Sequence, residues 1–428
     1  MIRLDWLIGV PLCALAFVLR LPFRAWAGAR RPGPPRSILV IKFLGMGSVL
    51  LSTPVLQRLR ETCPDAKVTF LTLDPNAELV RRLSCVDEVL SVPKTSLPRL
   101  LFAVPRLLLE LRRRRFDVAL DLEFYSRLSA LIAWGSGARQ RIGFFVRGRW
   151  RGSVLTDTVY FNPTLPFGEA VVALLRPLGL EDGVAADLIA PTVPSDEAEA
   201  SWARLQTLGV PADGAVVVVN VNASDLCDER RWPEDRFAEL VTRFEEEIAS
   251  VGRLVFIGGP GETGPVRRVL EQVGEDARPL CLDLAGRTTL AELTVLLGRA
   301  SLLITNDSGP LHLAASLGTP TISLFGPETP ALYGPVGDNH LVFYAGHWCS
   351  PCLTVYNAKI AWCDGDNVCM RRISVDAVVA QAAVFCRERV GLVPPHAVVR
   401  PRPGAVTGKR VPPRRPRSGP GDRREARS

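Results

Sequence analysis

Two familiar phosphate-binding signals are missing from this 428-residue sequence. Its first glycine turn, Gly45-x-Gly47-Ser48, lacks the third glycine of a dinucleotide fingerprint, because the position three beyond Gly47 is Leu50. It also lacks the Gly-Lys-Ser/Thr ending of a P-loop, so alone it reads as a plain turn. A clear membrane span is missing as well. Trp6–Leu19 is apolar and uncharged, but it is short for a spanning helix and contains Pro11. At the other end, Pro394–Ser428 has few apolar residues and no interleaved aromatics. The first shortage leaves it unable to bury enough surface to fold, and the second argues against a stacking platform for single-stranded nucleic acid. No nucleic-acid partner is expected.

What is present is a chain long enough for two ordinary domains, with β and α patterns alternating in an apolar body. The net charge of +8 belongs to the ends. Pro394–Ser428 carries ten Lys/Arg against two acids, and Met1–Ser37 carries six Arg against one Asp, which leaves −5 for the body. The organisation expected is a membrane-associated segment and linker over 1–37, Rossmann-like domains over 38–190 and 191–390, and a disordered basic tail over 391–428. The tail's charge suits anionic lipid or acidic glycan, but a solvated extension is the preferred reading.

The chain is organised around Leu302–Gly326, LLITNDSGPLHLAASLGTPTISLFG. Leu302–Thr305 reads as a buried strand, broken by Asn306, Asp307, Ser308 and Gly309. Pro310 suits the first turn of a helix whose buried face is Leu311, Leu313, Ala314 and Leu317. Gly318 and Pro320 stop that helix, and Thr321–Phe325 is a second strand. Strands joined by a helix are parallel. The free N–H groups of Ser308, Gly309 and the first helical residues, with the helix dipole, make a site for phosphate oxygens, and His312 can add a donor. An ordinary turn capped by Asp307 or Ser308 fits equally well.

TNDSGPLHLAASLGTPTISLFGP resembles the signature of bacterial heptosyltransferase-like enzymes, glycosyltransferase family nine. The resemblance covers most of Ile38–Val379. It implies a GT-B fold: two Rossmann-like domains with parallel sheets facing a cleft, the second domain holding a nucleotide-diphosphate sugar. It further implies that Asp307, Ser308, Gly309 and His312 face the diphosphate. Arg230-Arg231-Trp232-Pro233 stands where the family has Lys-x-Trp-Pro, so Arg230 takes the place of a phosphate-binding Lys and offers a planar fork. The polar turn Asn220–Ser224 precedes it, with Asn222 and Ser224 on the donor side, and Trp232 reads as a packing residue. After the strand Leu254–Ile257, Glu262 is the best match to an acid that holds the ribose.

In the first domain, Ile38–Phe43 is a strand with Lys42 near its end, and a helix is expected over Val49–Thr62. Gly47-Ser48-Val49 and Pro54 match the family's first loop, with Lys42 and Gly47 on the acceptor side. The family's Asp, its usual candidate for the catalytic base, is Ser48 here, and a hydroxyl cannot take a proton as a carboxylate does. Asp121 and Glu123 share one strand face by period two. Glu123 is the expected replacement base and Asp121 the fallback, with an N-cap or salt bridge as the plainer reading and Arg127 as a partner. Arg139, Arg141, Arg147, Arg149 and Arg151 form a basic run that can meet an anionic acceptor, a solvated loop being the default.

Of the ten cysteines, Cys349, Cys352, Cys363 and Cys369 lie close together in sequence. C-x₂-C with two later cysteines permits a structural zinc site, but the second pair lacks that spacing, so free thiols or a disulfide is preferred. No cofactor or catalytic metal is expected. The resemblance thus implies an inverting glycosyltransferase that moves a sugar, heptose by analogy, to an envelope glycan or glycolipid such as lipopolysaccharide core. A non-catalytic nucleotide-sugar or glycan-binding protein is the alternative, suggested by Ser48. The Arg-rich flank of Trp6–Leu19 favours a peripheral or monotopic enzyme on the cytoplasmic face of the inner membrane. Ala25-Trp26-Ala27 only faintly resembles a signal-peptidase site.

Overall fold

The computed structural model describes residues 9–16, 18, 34–93, 97–148, 150–180, 187–223, 227–354, 360–361, 363 and 365–393, with side chains omitted for 97–103. Ser224, Arg149 and the expected tail from residue 394 onward lie outside the described residues.

Two parallel six-stranded sheets form the frame. The first contains β1 (Ser37–Ile41), β2 (Lys67–Leu73), β3 (Glu88–Val92), β4 (Val118–Asp121), β5 (Gln140–Phe145) and β6 (Asp157–Tyr160), in the order β3-β2-β1-β4-β5-β6. The second contains β7 (Val216–Asn220), β8 (Arg253–Phe256), β9 (Cys281–Asp283), β10 (Leu302–Asn306), β11 (Thr321–Phe325) and β12 (His340–Tyr344). Read from its far edge it runs β9-β8-β7-β10-β11-β12, the same order over again. Each sheet therefore reverses direction once, between β1 and β4 and between β7 and β10. Ligands in such sheets bind beyond the carboxyl ends of the strands at that reversal.

The strands are buried on both faces, as a parallel sheet between helices requires. In β1, Ile38 and Val40 enter one core while Leu39 and Ile41 enter another. The four valines of β7 divide the same way, Val216 and Val218 to one side and Val217 and Val219 to the other. One of these cores takes residues from both sheets, so the two domains share packed interior.

The helix expected over Val49–Thr62 is broken. Met46–Leu50 and Thr53–Thr62 are separate helices with Pro54 in the first turn of the second, where its missing N–H costs no hydrogen bond. Residues 9–16 are helical, and no helix among the described residues is long and apolar enough to cross a membrane.

Candidate active site

Four of the loops singled out in sequence lie at the two reversal points. Lys42–Ser48 follows β1, Leu122–Ser126 follows β4, Val221–Ala223 follows β7, and Asp307–Gly309 follows β10. The helices Met46–Leu50 and Gly309–Ser316 pack against one another. At that contact Gly47 lies on the His312 ring and Gly309 lies on Met46; a Cβ at either glycine would overlap the opposing side chain. Approach this close to a rigid ring needs glycine at position 47, whereas the nearest atom to Gly309 is the end of the flexible Met46 side chain.

On the second domain, Ser308 holds the N-cap position of the Gly309–Ser316 helix but does not cap it. Its hydroxyl is taken by Thr305 Oγ1 at 2.8 Å and by the Asn220 amide at 3.0 Å. The first turn's amides are therefore left without a side-chain cap, as an anion site requires. Asp307 faces Arg230, whose guanidinium lies 3.0 Å from Oδ2 and also donates to the Asp307 carbonyl. His312 is buried, and desolvation pulls its pKa down to about 4 against the raising influence of Asp307, so the ring is neutral near neutral pH. Its Nδ1 has no hydrogen-bond partner. Asn222 donates to the Glu262 carbonyl at 3.3 Å, while its own Oδ1 is buried without a partner. The Glu262 carboxylate accepts from Gly259 N at 2.7 Å and so closes its own turn. Trp232 is a packing residue: it is buried, donates Nε1 to the Ile373 carbonyl at 3.0 Å, and meets the Phe237 ring edge-on.

The first domain holds its charges inside. Glu123 is 1% exposed at the end of its strand. Its Oε1 accepts from Lys42 Nζ at 2.9 Å, Phe43 N at 2.8 Å and Leu44 N at 3.2 Å. Burial by itself would raise this pKa, but the Lys42 charge and these three donors outweigh it and hold the group below the ordinary carboxylate range. Oε2 has no partner. Lys42, expected on the acceptor side, is thus the counter-ion of Glu123. Ser48 turns back into its own loop, donating to the Leu44 and Gly45 carbonyls.

Asp121 is fully buried. It accepts from Glu123 N at 3.1 Å and Ser129 Oγ at 3.0 Å, and is ion-paired with Arg151. Desolvation pushes its pKa up to about 6 despite Arg151. With Oδ1 accepting from Glu123 N and Oδ2 from Ser129 and Arg151, Asp121 braces the strand end and, unlike Glu123, has no oxygen without a partner. Arg151 in turn is fully buried and donates to the Phe144 and Ser126 carbonyls, each at 3.1 Å, so it belongs neither to a solvated loop nor to an acceptor-facing basic run.

Two residues escaped the sequence reading. Glu328 is the first acid beyond the carboxyl end of β11 and is only 6% exposed. Tyr333 stacks on Phe167 of the first domain with ring centroids 5.7 Å apart. Burial, then Glu328, Tyr125, Asp307 and Glu123, push the phenol well above its ordinary pKa, so acids from both domains act on one spot. An acid just past a strand's carboxyl end was the available signal for Glu328.

None of the ten cysteines is in a disulfide, and no group of three or more His, Cys, Asp or Glu among the described residues is arranged to hold a metal. His347 Nδ1 lies 3.2 Å from Cys349 Sγ.

Known proteins share this fold. The solved structure of the Escherichia coli ADP-heptose lipopolysaccharide heptosyltransferase II superposes with a TM-score of 0.65 at 22% identity, over 82% of this chain and 98% of that one. A family 9 glycosyl transferase from Veillonella parvula gives 0.67 at 24% identity, over 82% and 97%. In sequence, the chain is 26% identical over 304 residues to lipopolysaccharide heptosyltransferase 2 of Escherichia coli, covering 70% of this chain and 85% of the relative. It is 27% identical over 314 residues to lipopolysaccharide heptosyltransferase 3 of the same species, covering 71% and 86%. Residues 104–360 match the family described as glycosyltransferase family 9 (heptosyltransferase). The chain belongs to glycosyltransferase family 9, and the loops at its two reversal points face each other across a GT-B frame.

Proposed function

We propose that this protein transfers a sugar, heptose by analogy with its relatives, from a nucleotide diphosphate to a lipopolysaccharide-type glycan or glycolipid with inversion at the anomeric carbon. The observation that carries the reading is the packing of Gly47 on His312, which brings the first domain's loop against the uncapped helix start of the second. The diphosphate would lie on the amides of Ser308 and Gly309, with Arg230 and His312 as side-chain donors. Asn222, with its unpartnered oxygen, and Glu262 would meet the nucleoside.

In the transfer, the bond from acceptor oxygen to anomeric carbon forms as the bond from anomeric carbon to phosphate oxygen breaks. The nucleoside diphosphate leaves, and the acceptor proton must go to a base. Glu123 is that base in this reading. Oε1 is spent on Lys42 and the loop amides, so the unpartnered Oε2 is the atom left for the proton. Asp121 and Arg151 hold it from behind. The acceptor's lipid would keep the enzyme at a membrane surface.

One observation favours a second reading, a nucleotide-sugar-binding protein without turnover: the Ser48 hydroxyl is used up within its own turn. The test is to incubate the protein with ADP-, GDP-, UDP- and dTDP-sugars and envelope lipid extract, then assign the product's anomeric configuration by NMR. A glycoside of configuration opposite to the donor supports inverting transfer. Retained configuration, or binding without product, contradicts it.

A further inference from the structure

The loop after β5 shares a carboxyl edge with the loop that carries Glu123, because β4 and β5 are parallel neighbours. It leads from Phe145 to the short helix Arg151–Val154. Two adjacent residues at its end are placed very differently. Arg151 is fully buried, donates to the Ser126 and Phe144 carbonyls and pairs with Asp121. Trp150 is 64% exposed. Its backbone stands at φ 60° and ψ −1°, in the left-handed region that a bulky side chain rarely occupies. Strain of this kind persists where the surrounding structure enforces it, and it gathers at functional sites.

Trp150 has aromatic neighbours. Gly152 lies on the Phe145 ring, where an added Cβ would stand 3.3 Å from Cδ2. Phe145 meets Tyr160, its partner in the β5–β6 register, edge-on with centroids 5.0 Å apart. Tyr160 is 78% exposed. Arg147 is exposed in the same loop as Trp150.

We propose that Trp150 and Tyr160 form a platform for a sugar ring of the acceptor, and that Arg147 meets an anionic group, phosphate or carboxylate, carried by that glycan. A sugar ring has an apolar C–H face and a hydroxyl rim. Trp and Tyr match it with large, amphipathic rings that lose little freedom on binding. Arg147 adds a planar fork for anionic oxygens. Position selects this occupant: the patch lies at the carboxyl ends of β5 and β6, continuous with the edge where Glu123 would take the acceptor's proton. Arg151 lets Trp150 be exposed and yet fixed. Its buried pair with Asp121, which also accepts from Glu123 N, ties the platform to the strand end that carries the proposed base. The platform rests on the reading of a glycan acceptor and adds that this acceptor is anionic.

The test is titration calorimetry of the full chain with a deacylated, phosphate-bearing lipopolysaccharide core oligosaccharide, and with the same oligosaccharide after its phosphates are removed. Trp150→Gly should weaken binding of both by about tenfold, the loss of one ring contact. Its melting temperature should not fall, because glycine relieves the left-handed backbone. Trp150→Phe should recover part of the affinity. Tyr160→Ser should also weaken both, and it probes the patch if Trp150→Gly folds poorly. Arg147→Gln should weaken only the phosphate-bearing form, by about fivefold, as for an exposed ion pair. Nucleotide-sugar affinity should stay at the wild-type value in every variant. A wild type that binds neither oligosaccharide overturns the platform, as does wild-type affinity in both Trp150→Gly and Tyr160→Ser. Equal wild-type affinity for the two oligosaccharides overturns the anionic acceptor. Loss of oligosaccharide binding in the variants of a wild type that transfers no sugar supports the platform and counts against the transfer reading alone.

Discussion

Gly47 of the first domain packs directly on the imidazole of His312 in the second, leaving no room for a methyl group between them. The contact joins the loop after β1 to the helix that follows β10. Those are the places where two sheets of identical strand order leave space at their carboxyl edges.

Gly47→Ala should therefore force the two loops apart. Overpacking of this kind costs about 1–3 kcal/mol. Urea unfolding should register that loss. In the double variant Gly47→Ala/His312→Ala, stability should recover relative to the sum of the single changes, because neighbours that clash are not additive. Strict additivity would mean the contact is not made in solution.

Arg230→Ala should weaken nucleotide-diphosphate-sugar binding by about 1.5–3 kcal/mol, the range for a hydrogen bond to a charged group. Asp307, deprived of its partner, should bind the anionic diphosphate still less readily. Calorimetry showing wild-type affinity in Arg230→Ala would remove Arg230 from the donor site.

Much of this was legible in sequence because it is local. Four successive valines, β-branched throughout, read as a strand buried on both faces, and Val216–Val219 is one. The Asn306–Gly309 break between a strand and a Pro-initiated helix marked the turn after β10. A salt bridge at Asp121 or Glu123 was legible, but the partners, Arg151 and Lys42 in place of the expected Arg127, were not, because they are far apart along the chain. Lys42 meets Glu123 across 81 residues, and Arg151 meets Asp121 across 30. A run of exposed-looking arginines does not disclose which one the fold will bury. Glu328 was missed for a related reason, since its burial depends on the loops packed around it.

The Lys42–Glu123 pair separates stability from chemistry. Lys42→Met leaves a buried carboxylate without its counter-ion and should cost about 3–5 kcal/mol in chemical denaturation. Glu123→Gln removes the charge itself. It should lower kcat by about 10²–10⁴-fold with little change in donor affinity. Ser48→Ala, which loses only hydrogen bonds within a turn, should have a smaller effect on turnover. Full turnover in Glu123→Gln would send the search for the base elsewhere, with Glu328 next to be changed.

His312 gives the fold a pH dependence of known sign. Its folded pKa of about 4 lies below the ordinary value of about 6.5. As pH falls between these values the unfolded chain takes up a proton that the folded chain refuses, so about 3 kcal/mol of stability is lost. Asp121 works in the opposite direction, because its pKa is pushed up to about 6 and the folded chain holds its proton more tightly. The comparison must therefore be between wild type and His312→Asn across that window. Wild type should lose its margin over the variant as the solution is acidified. Parallel stability curves would mean that His312 is not buried neutral.

The most direct test of the account is nucleoside-diphosphate release by the purified chain, followed as lipid acceptor is added to saturating donor, with the lipid weighed by mass spectrometry. The account predicts one donor for which release begins on acceptor addition, in equal amount with a lipid heavier by one sugar residue. Saturable donor binding, with no release and no mass change for any donor and acceptor pair, would contradict transfer and leave a nucleotide-sugar-binding protein.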